Sequence, residues 1–109
     1  MSQLHTIRCV ACEGGVPPLS ETEVNQFLQE VRGWSVSSDA KWIYHVFKFK
    51  DHYETMAFVN AIAWISHQEN HHPDLEVGYN HCKVSYQTHA IGGLSKNDFI
   101  CAAKIDQLT

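Results

Sequence analysis

Histidines are the residues of this chain whose type and spacing could most readily do chemistry. Eight occur in 109 residues, and three of them lie in the stretch HQENHHPDLEV, residues 67–77. Imidazole is the side chain whose charge changes nearest neutral pH, and its neutral form is also a common metal ligand. The stretch could therefore transfer protons, bind a metal ion or be no more than the polar end of a helix.

Pro73 determines how the adjacent His71 and His72 are oriented. A residue before proline is pushed out of the helical region, so a helix should end near His71 and His72 should be extended. The two imidazoles then point in different directions from a sharp corner between a helix and a strand. The carbonyl groups at the helix end favour a protonated imidazole, whereas burial opposes the charge. This balance suits general acid–base catalysis.

A metal site is the main alternative for the same histidines. His67 and His71 are four residues apart on one helical face, a spacing that can supply two ligands. A third ligand would have to come from His72, His89, Asp74 or a glutamate. However, HQENH lacks the glutamate directly after the first histidine that zinc proteases use as a base. Adjacent histidines also converge poorly on one ion, so we expect no metal here.

The cysteines raise a second metal or redox question. CVAC, residues 9–12, has half of a zinc-ribbon spacing, but no second CxxC follows. Cys82 and Cys101 fall at apolar positions, where a free cysteine typically packs in the core. The favoured interpretation is a mobile leader with two free thiols. A redox pair, or a zinc-binding domain that uses Cys9, Cys12 and histidines, remains an alternative.

Composition excludes several classes of protein. The net charge is −4 and the lysines and arginines are scattered, so nucleic-acid binding is not expected. No apolar run is long enough to span a bilayer, and the N-terminus lacks a secretory signal pattern. The sequence therefore predicts a cytoplasmic protein with free thiols. It consists of an irregular leader at 1–19, interrupted by glycines and prolines, and one domain at 20–109.

Five segments of the domain carry the start and turn signals of regular elements. They are a helix from Ser20 to Gly33, a hairpin over 34–50, a long helix over 51–69, a hairpin over 74–89 that turns at Asn80–His81, and a last helix that Ser95 and Asp98 cap. The order α-ββ-α-ββ-α predicts an α+β fold. A four-stranded antiparallel sheet should carry the helices on one face.

The long helix over 51–69 has apolar side chains around most of its circumference. A surface helix of a small monomer should show a single apolar stripe. Here Tyr53, Ala57 and Trp64 lie on a different side from Phe58 and Ile62. We therefore expect the helix to pack on the sheet and also against another subunit.

The stretch ENHHPDLEVGYNHCKVSYQTHAIGGLSKNDF, residues 69–99, resembles the pterin-4a-carbinolamine dehydratases. Their pattern is HHP, an aromatic residue about six positions later, a histidine at the end of the next strand, then GLS before a helix that carries an aspartate. These are His71–Pro73, Tyr79, Thr88–His89, Gly93–Ser95 and Asp98 here. The resemblance extends over residues 20–109 and includes GW at 33–34 and Phe47–Asp51.

The resemblance implies dehydration of 4a-hydroxytetrahydropterin to quinonoid dihydropterin, which recycles the cofactor of aromatic amino acid hydroxylases. No metal or redox cofactor is implied, because the pterin is the substrate. By the family match, His71 and His89 form the acid–base pair, and His72, the third catalytic candidate, binds the substrate on the hydroxyl side. Candidate substrate-binding residues are Asp98, Glu69, Asp74, Tyr79 and Thr88. Asp98 should orient a histidine or bind the pterin.

One position departs from the family pattern. Many members have a glutamate four residues before the first histidine of HHP, where this chain has His67. Glu69 faces another direction on a helix and cannot simply replace it. The family also implies a homodimer or homotetramer through the helix 51–69. The alternative function is a non-catalytic dimerisation or coactivator scaffold of the same fold.

Overall fold

The computed structural model describes residues 3–10 and 16–109, and within them the predicted order of elements is confirmed. The elements are α1 (Glu21–Leu28), β1 (Ser35–Val36), β2 (Ile43–Lys48), α2 (His52–Glu69), β3 (Asp74–Val77), β4 (His81–Tyr86) and α3 (Lys96–Asp106), with 3-10 helices at Leu4–Thr6 and His89–Ile91. None of the helices in these ranges is long and apolar enough to cross a membrane.

The four strands form one antiparallel sheet in the order β1-β2-β4-β3. The central pair, β2 and β4, sets Ile43 opposite Tyr86 and Phe47 opposite Cys82. Alternate residues of β4 are buried, as period-two side chains on a half-covered sheet should be. Helices cover this face, so the predicted α+β architecture is confirmed.

The helices begin where their capping residues predict. Ser20 Oγ accepts a hydrogen bond from the Glu23 amide, while Glu23 accepts one from the Ser20 amide. Asp51 accepts from the Glu54 amide at 3.0 Å, although the Glu54 carboxylate accepts from the preceding Lys50 amide instead of completing the box. These local bonds satisfy amides that a helix start leaves unpaired.

The prediction that the first helix extends to Gly33 was wrong, because α1 ends at Leu28. The Arg32 amide instead donates to Asp106 Oδ2 at 2.9 Å, and Gly33 adopts a φ of 78°. A tertiary hydrogen bond to α3 thus replaces the last helical turn, and glycine tolerates the left-handed backbone that follows.

The end of α2 forms the corner that Pro73 predicts. Asn70 adopts a left-handed conformation with φ 50° and ψ 43°, and the His71 amide donates to the Ser66 carbonyl at 3.3 Å. This arrangement is a common helix C-terminal cap. It turns the chain so that His71 and His72 lie between the helix and β3.

The N-terminal segment, defined here as residues 3–10, packs on the domain that follows. Leu4 is buried in the core, and the 3-10 helix around it contacts α3. Near its end, the Asn97 side chain donates to the Val10 carbonyl at 2.6 Å. The expected mobile leader therefore has a docked part, whereas Cys12 lies outside the described residues.

Only one side of α2 is covered within the single chain. Phe58, Ile62 and Ile65 are buried against the sheet and α3. Tyr53 and Trp64, on another side of the helix, are 82% and 60% exposed. The residues that the structure describes therefore leave open the second apolar surface that the sequence indicated.

Candidate active site

A cleft of about 490 Å³ lies where the end of α2, the loop after β4, the start of α3 and the N-terminal segment meet. It brings the adjacent His71 and His72 together with His89, which follows them by 18 and 17 residues across the β3–β4 hairpin. Other residues that line the cleft are Cys9, Val10, Gln68, Glu69, Asn70, Gln87, Thr88, Ala90 and Asn97.

His71 is held by a carboxylate. Its Nε2 lies 2.7 Å from Asp98 Oδ1, with His71 13% and Asp98 0% exposed at the side chain. A carboxylate against one ring nitrogen fixes the tautomer and orientation of an imidazole. Nδ1 is then the ring nitrogen that Asp98 leaves available for proton transfer.

The other oxygen of the Asp98 carboxylate is held by two hydrogen-bond donors. This oxygen, Oδ2, accepts hydrogen bonds from Thr88 Oγ1 at 2.8 Å and from the Ser95 amide at 2.9 Å. Thr88 and Ser95 hydroxyls lie 2.7 Å apart. A buried carboxylate is tolerated only when its oxygens are satisfied in this way. The cap of α3 therefore also positions the His71 imidazole.

The Tyr86 ring stacks against a face of the His71 ring. The two rings are parallel within 4°, with centroids 5.6 Å apart. Tyr86 is completely buried at the end of β4, and this burial raises the pKa of its hydroxyl well above the usual value. The ring is thus a neutral, rigid platform that keeps His71 facing the cleft.

His72 and His89 are the solvent-facing imidazoles of the cleft. Their ring centroids are 6.4 Å apart, and the edge of Trp42 packs against His89 at 5.9 Å. His89 begins the 3-10 helix after β4 and does not end the strand itself. Because the two exposed rings lie this close, one bound heterocycle can contact both of them.

Glu69 is a buried carboxylate at the edge of the cleft. Burial alone would raise the pKa of Glu69, but the Cys9 amide and the charges of Lys104 and Arg8 outweigh it and hold the pKa below its usual value. Arg8 Nε lies 3.0 Å from the carboxylate and the Cys9 amide donates to it at 2.8 Å. Glu69 therefore fastens the N-terminal segment to α2.

The structure does not bring every candidate residue to the cleft. Asp74 begins β3 and lines a separate surface depression with Trp42, and Tyr79 lies in the β3–β4 turn, stacked on His52. His67 is exposed and packs on Trp64. His71 is paired with Asp98, so in this chain Asp98 holds the imidazole and position 67 does not.

Sequence reasoning missed the part of the cleft wall that the N-terminal segment supplies. Cys9, Val10 and Asn97 line it. The sequence signals for this wall were Cys9 of the CVAC pattern and the polar Asn97 near the start of α3, which is buried. Among residues 3–10 and 16–109, no group of three or more His, Cys, Asp or Glu side chains is arranged to hold a metal ion.

The chain is similar to known proteins over nearly its whole length. The sequence model of the family described as "Pterin 4 alpha carbinolamine dehydratase" matches residues 17–108. A protein from Nitrosospira multiformis is 58% identical over 108 residues, which cover 99% of this chain and 94% of that protein. One from Legionella pneumophila is 54% identical, covering 98% and 96%. Both are provisionally named pterin-4-alpha-carbinolamine dehydratases.

Solved structures share the fold. A crystal structure described as a transcriptional coactivator/pterin dehydratase from Brucella melitensis has a TM-score of 0.80 at 30% identity, covering 84% of this chain and 97% of that one. A pterin dehydratase-like protein identified as a RuBisCO assembly factor in the alpha-carboxysome has a TM-score of 0.62 at 22% identity, covering 71% and 89%. The second likeness concerns the fold alone. By its sequence match over nearly the whole length, this chain belongs to the pterin-4-alpha-carbinolamine dehydratase family.

Proposed function

We propose that the protein dehydrates 4a-hydroxytetrahydropterin to quinonoid dihydropterin by histidine general acid–base catalysis. The observation that carries the proposal is the Asp98–His71 pair at 2.7 Å, which opens into a cleft that also presents His72 and His89. The family to which the chain belongs supports the choice of substrate.

In this reaction one C–O bond breaks and two protons are transferred. The C4a–O bond breaks and its electrons leave with the hydroxyl, which takes up a proton and departs as water. The N5–H proton is removed, and its electron pair forms the C4a=N5 bond. An imidazole contributes roughly 10²–10⁴-fold to each such transfer. The oxidation state of the pterin does not change in this elimination, so we propose that no metal or redox cofactor takes part.

The position of each residue in the cleft supports a separate role in the proposed reaction. We assign the acid–base pair to His71, which Asp98 orients, and to His89, which Trp42 supports. His72 faces His89 and would bind the substrate on its hydroxyl side. Thr88 acts through Asp98. These roles place the half-buried His71 imidazole behind the substrate and the exposed imidazoles of His72 and His89 around it.

The test is stopped-flow absorbance of synthetic 4a-hydroxytetrahydropterin with purified protein. We expect decay well above the uncatalysed rate, and loss of nearly all of this enhancement in the double variant His71→Ala/His89→Ala. His67→Ala is the matched control, because this histidine is exposed outside the cleft. Decay at the background rate with the folded wild type would rule out the enzymatic function, and full activity of the double variant would rule out the two roles.

We further propose that the protein acts in the cytoplasm and returns pterin to aromatic amino acid hydroxylases, as a homodimer or homotetramer. The exposed apolar surface of α2 supports assembly. It also supports the second candidate function, a dimerisation or coactivator scaffold, as does the coactivator description of the Brucella melitensis relative. An assembled protein that left the pterin decay unchanged would favour the scaffold.

A further inference from the structure

Two cysteines far apart in the sequence meet beside the cleft. Cys9 Sγ lies 3.6 Å from Cys101 Sγ, although 92 positions separate the residues. Cys101 is completely buried on α3, whereas Cys9 is half-buried and lines the cleft. The sequence pattern CVAC pointed to Cys9 and Cys12 as a pair, so the Cys101 partner comes from the fold.

The backbone on either side of Cys9 is fastened by buried polar groups. The Cys9 amide donates to Glu69 Oε1 at 2.8 Å, and the Val10 amide donates to Asn97 Oδ1 at 3.1 Å. The Cys9 thiol also lies 3.7 Å from the Asn97 carbonyl. The two sulfur atoms are therefore held face to face, and a disulfide requires them to close to about 2 Å.

The two thiols differ in reactivity. The hydrogen bond with Cys9, together with burial, raises the pKa of Cys101 and so disfavours its thiolate form. Cys9 is the member of the pair that solvent reaches. Thiolate character and access govern attack on peroxide, which makes Cys9 the thiol that an oxidant meets first.

We propose that Cys9 and Cys101 form a peroxide-oxidisable thiol pair whose disulfide locks the N-terminal segment onto α3 at the wall of the cleft. In the first step Cys9 attacks one peroxide oxygen, the O–O bond breaks, and a sulfenic acid and one water form. In the second, Cys101 loses its proton, attacks the Cys9 sulfur and expels the hydroxyl as water. Two thiols are oxidised by two electrons and one peroxide is reduced to two waters.

The disulfide would affect the cleft through contacts that are already present. Cys9 itself forms part of the cleft wall, and the buried Tyr86 hydroxyl lies near Cys101 while its ring stacks on His71. Fixing the wall therefore also restrains the platform under His71. The pair does not depend on the dehydratase assignment, because the thiols meet whatever substrate the cleft accepts.

Peptide mapping tests the pairing. Wild-type protein is treated with hydrogen peroxide under native conditions, blocked with an alkylating agent, digested without reductant and analysed by mass spectrometry. We expect a cross-linked peptide that joins Cys9 to Cys101, and we expect it unchanged in Cys12→Ser and Cys82→Ser. The cross-link should be absent in Cys101→Ala. If this buried substitution prevents folding, Cys9→Ser replaces it, and the cross-link should be absent there too. A Cys9–Cys12 link, or no link within the chain, would overturn the proposal.

Limited proteolysis tests the lock without reference to activity. The Arg8 side chain is 72% exposed, so trypsin can cut after it when the N-terminal segment opens. In oxidised wild type we expect release of residues 1–8 to slow at least about three-fold, because the disulfide suppresses local opening. The melting temperature should rise by about 5 °C or more. Equal release rates before and after oxidation, with the link formed, would disprove the lock.

Discussion

Asp98 uses its two oxygens in different contacts: one faces His71, and the other completes the cap of α3. In Asp98→Asn the carboxylate that lies 2.7 Å from His71 Nε2 and orients the ring is lost. Under the proposed function we expect kcat for pterin dehydration to fall about 10–100-fold with little change in KM, which is the order of loss when a group that orients a metal-ligating imidazole is mutated. Steady-state kinetics on the synthetic substrate measure this split.

Asp106→Asn is the matched control for that prediction. Asp106 is also a buried carboxylate of α3, but it accepts hydrogen bonds from the Trp34 indole and the Arg32 amide, away from the cleft. It should lose stability, by about 1–3 kcal/mol, and keep its kcat. A similar fall of kcat in both variants would show that Asp98 acts only through the fold.

The Glu69 carboxylate should stabilise the folded protein to an extent that depends on pH. The pKa of Glu69 is held below its usual value in the folded state, so its stabilisation is present above the unfolded pKa, near 4.5, and is lost as the pH falls through the folded pKa. Glu69→Gln should therefore lower the melting temperature at pH 7 by several degrees, for a loss of about 1–2 kcal/mol. The difference from wild type should shrink towards pH 3.

Thermal unfolding at a series of pH values measures this difference, and Glu76→Gln provides the control. Glu76 is an exposed carboxylate whose pairing with Lys83, at 3.7 Å, is worth little on a surface. Its substitution should leave the melting temperature nearly unchanged at every pH. A constant deficit of Glu69→Gln from pH 7 to pH 3 would contradict the assignment of its stabilisation to the charged form.

The candidate site could be predicted from sequence as far as local rules and a family pattern extend. Pro73 forces the corner at His71 and His72, and the pattern selects His89 and Asp98 as partners. The pattern did not indicate that Arg8 and Cys9 would bind the Glu69 carboxylate. Cys9 and Glu69 are 60 positions apart in the sequence. Tyr79 shares the family spacing but lies in a turn remote from the cleft.

At the scale of elements, helix starts were predictable and one helix end was not. The starts depend on side chains three residues from the amides that they satisfy, as at Ser20 and Asp51. The end of α1 depends on Asp106, 74 residues beyond the Arg32 amide that it accepts from. Gly33 marked a plausible stop, but the competing tertiary bond moved the end to Leu28.

At the scale of the whole molecule, α2 is covered on only one side in the single chain. We expect the wild type to assemble and Trp64→Glu to give a smaller species, because the substitution places a charge on the exposed apolar surface. Light scattering coupled to size-exclusion chromatography gives the mass. Leu108→Glu, at an exposed apolar position on the C-terminal end, should retain the wild-type mass.

The strand order also governs when the molecule can form during synthesis. Because β2 pairs in the centre of the sheet with β4, residues 43–48 emerge from the ribosome long before residues 81–86, their main partner. The N-terminal segment waits longer still, since its contacts are with α3. Long-range pairing of this kind delays folding. The nascent chain therefore carries β2 without its main partner until β4 emerges, and Cys9 without Cys101 until α3 follows. A chaperone would be needed most during this interval.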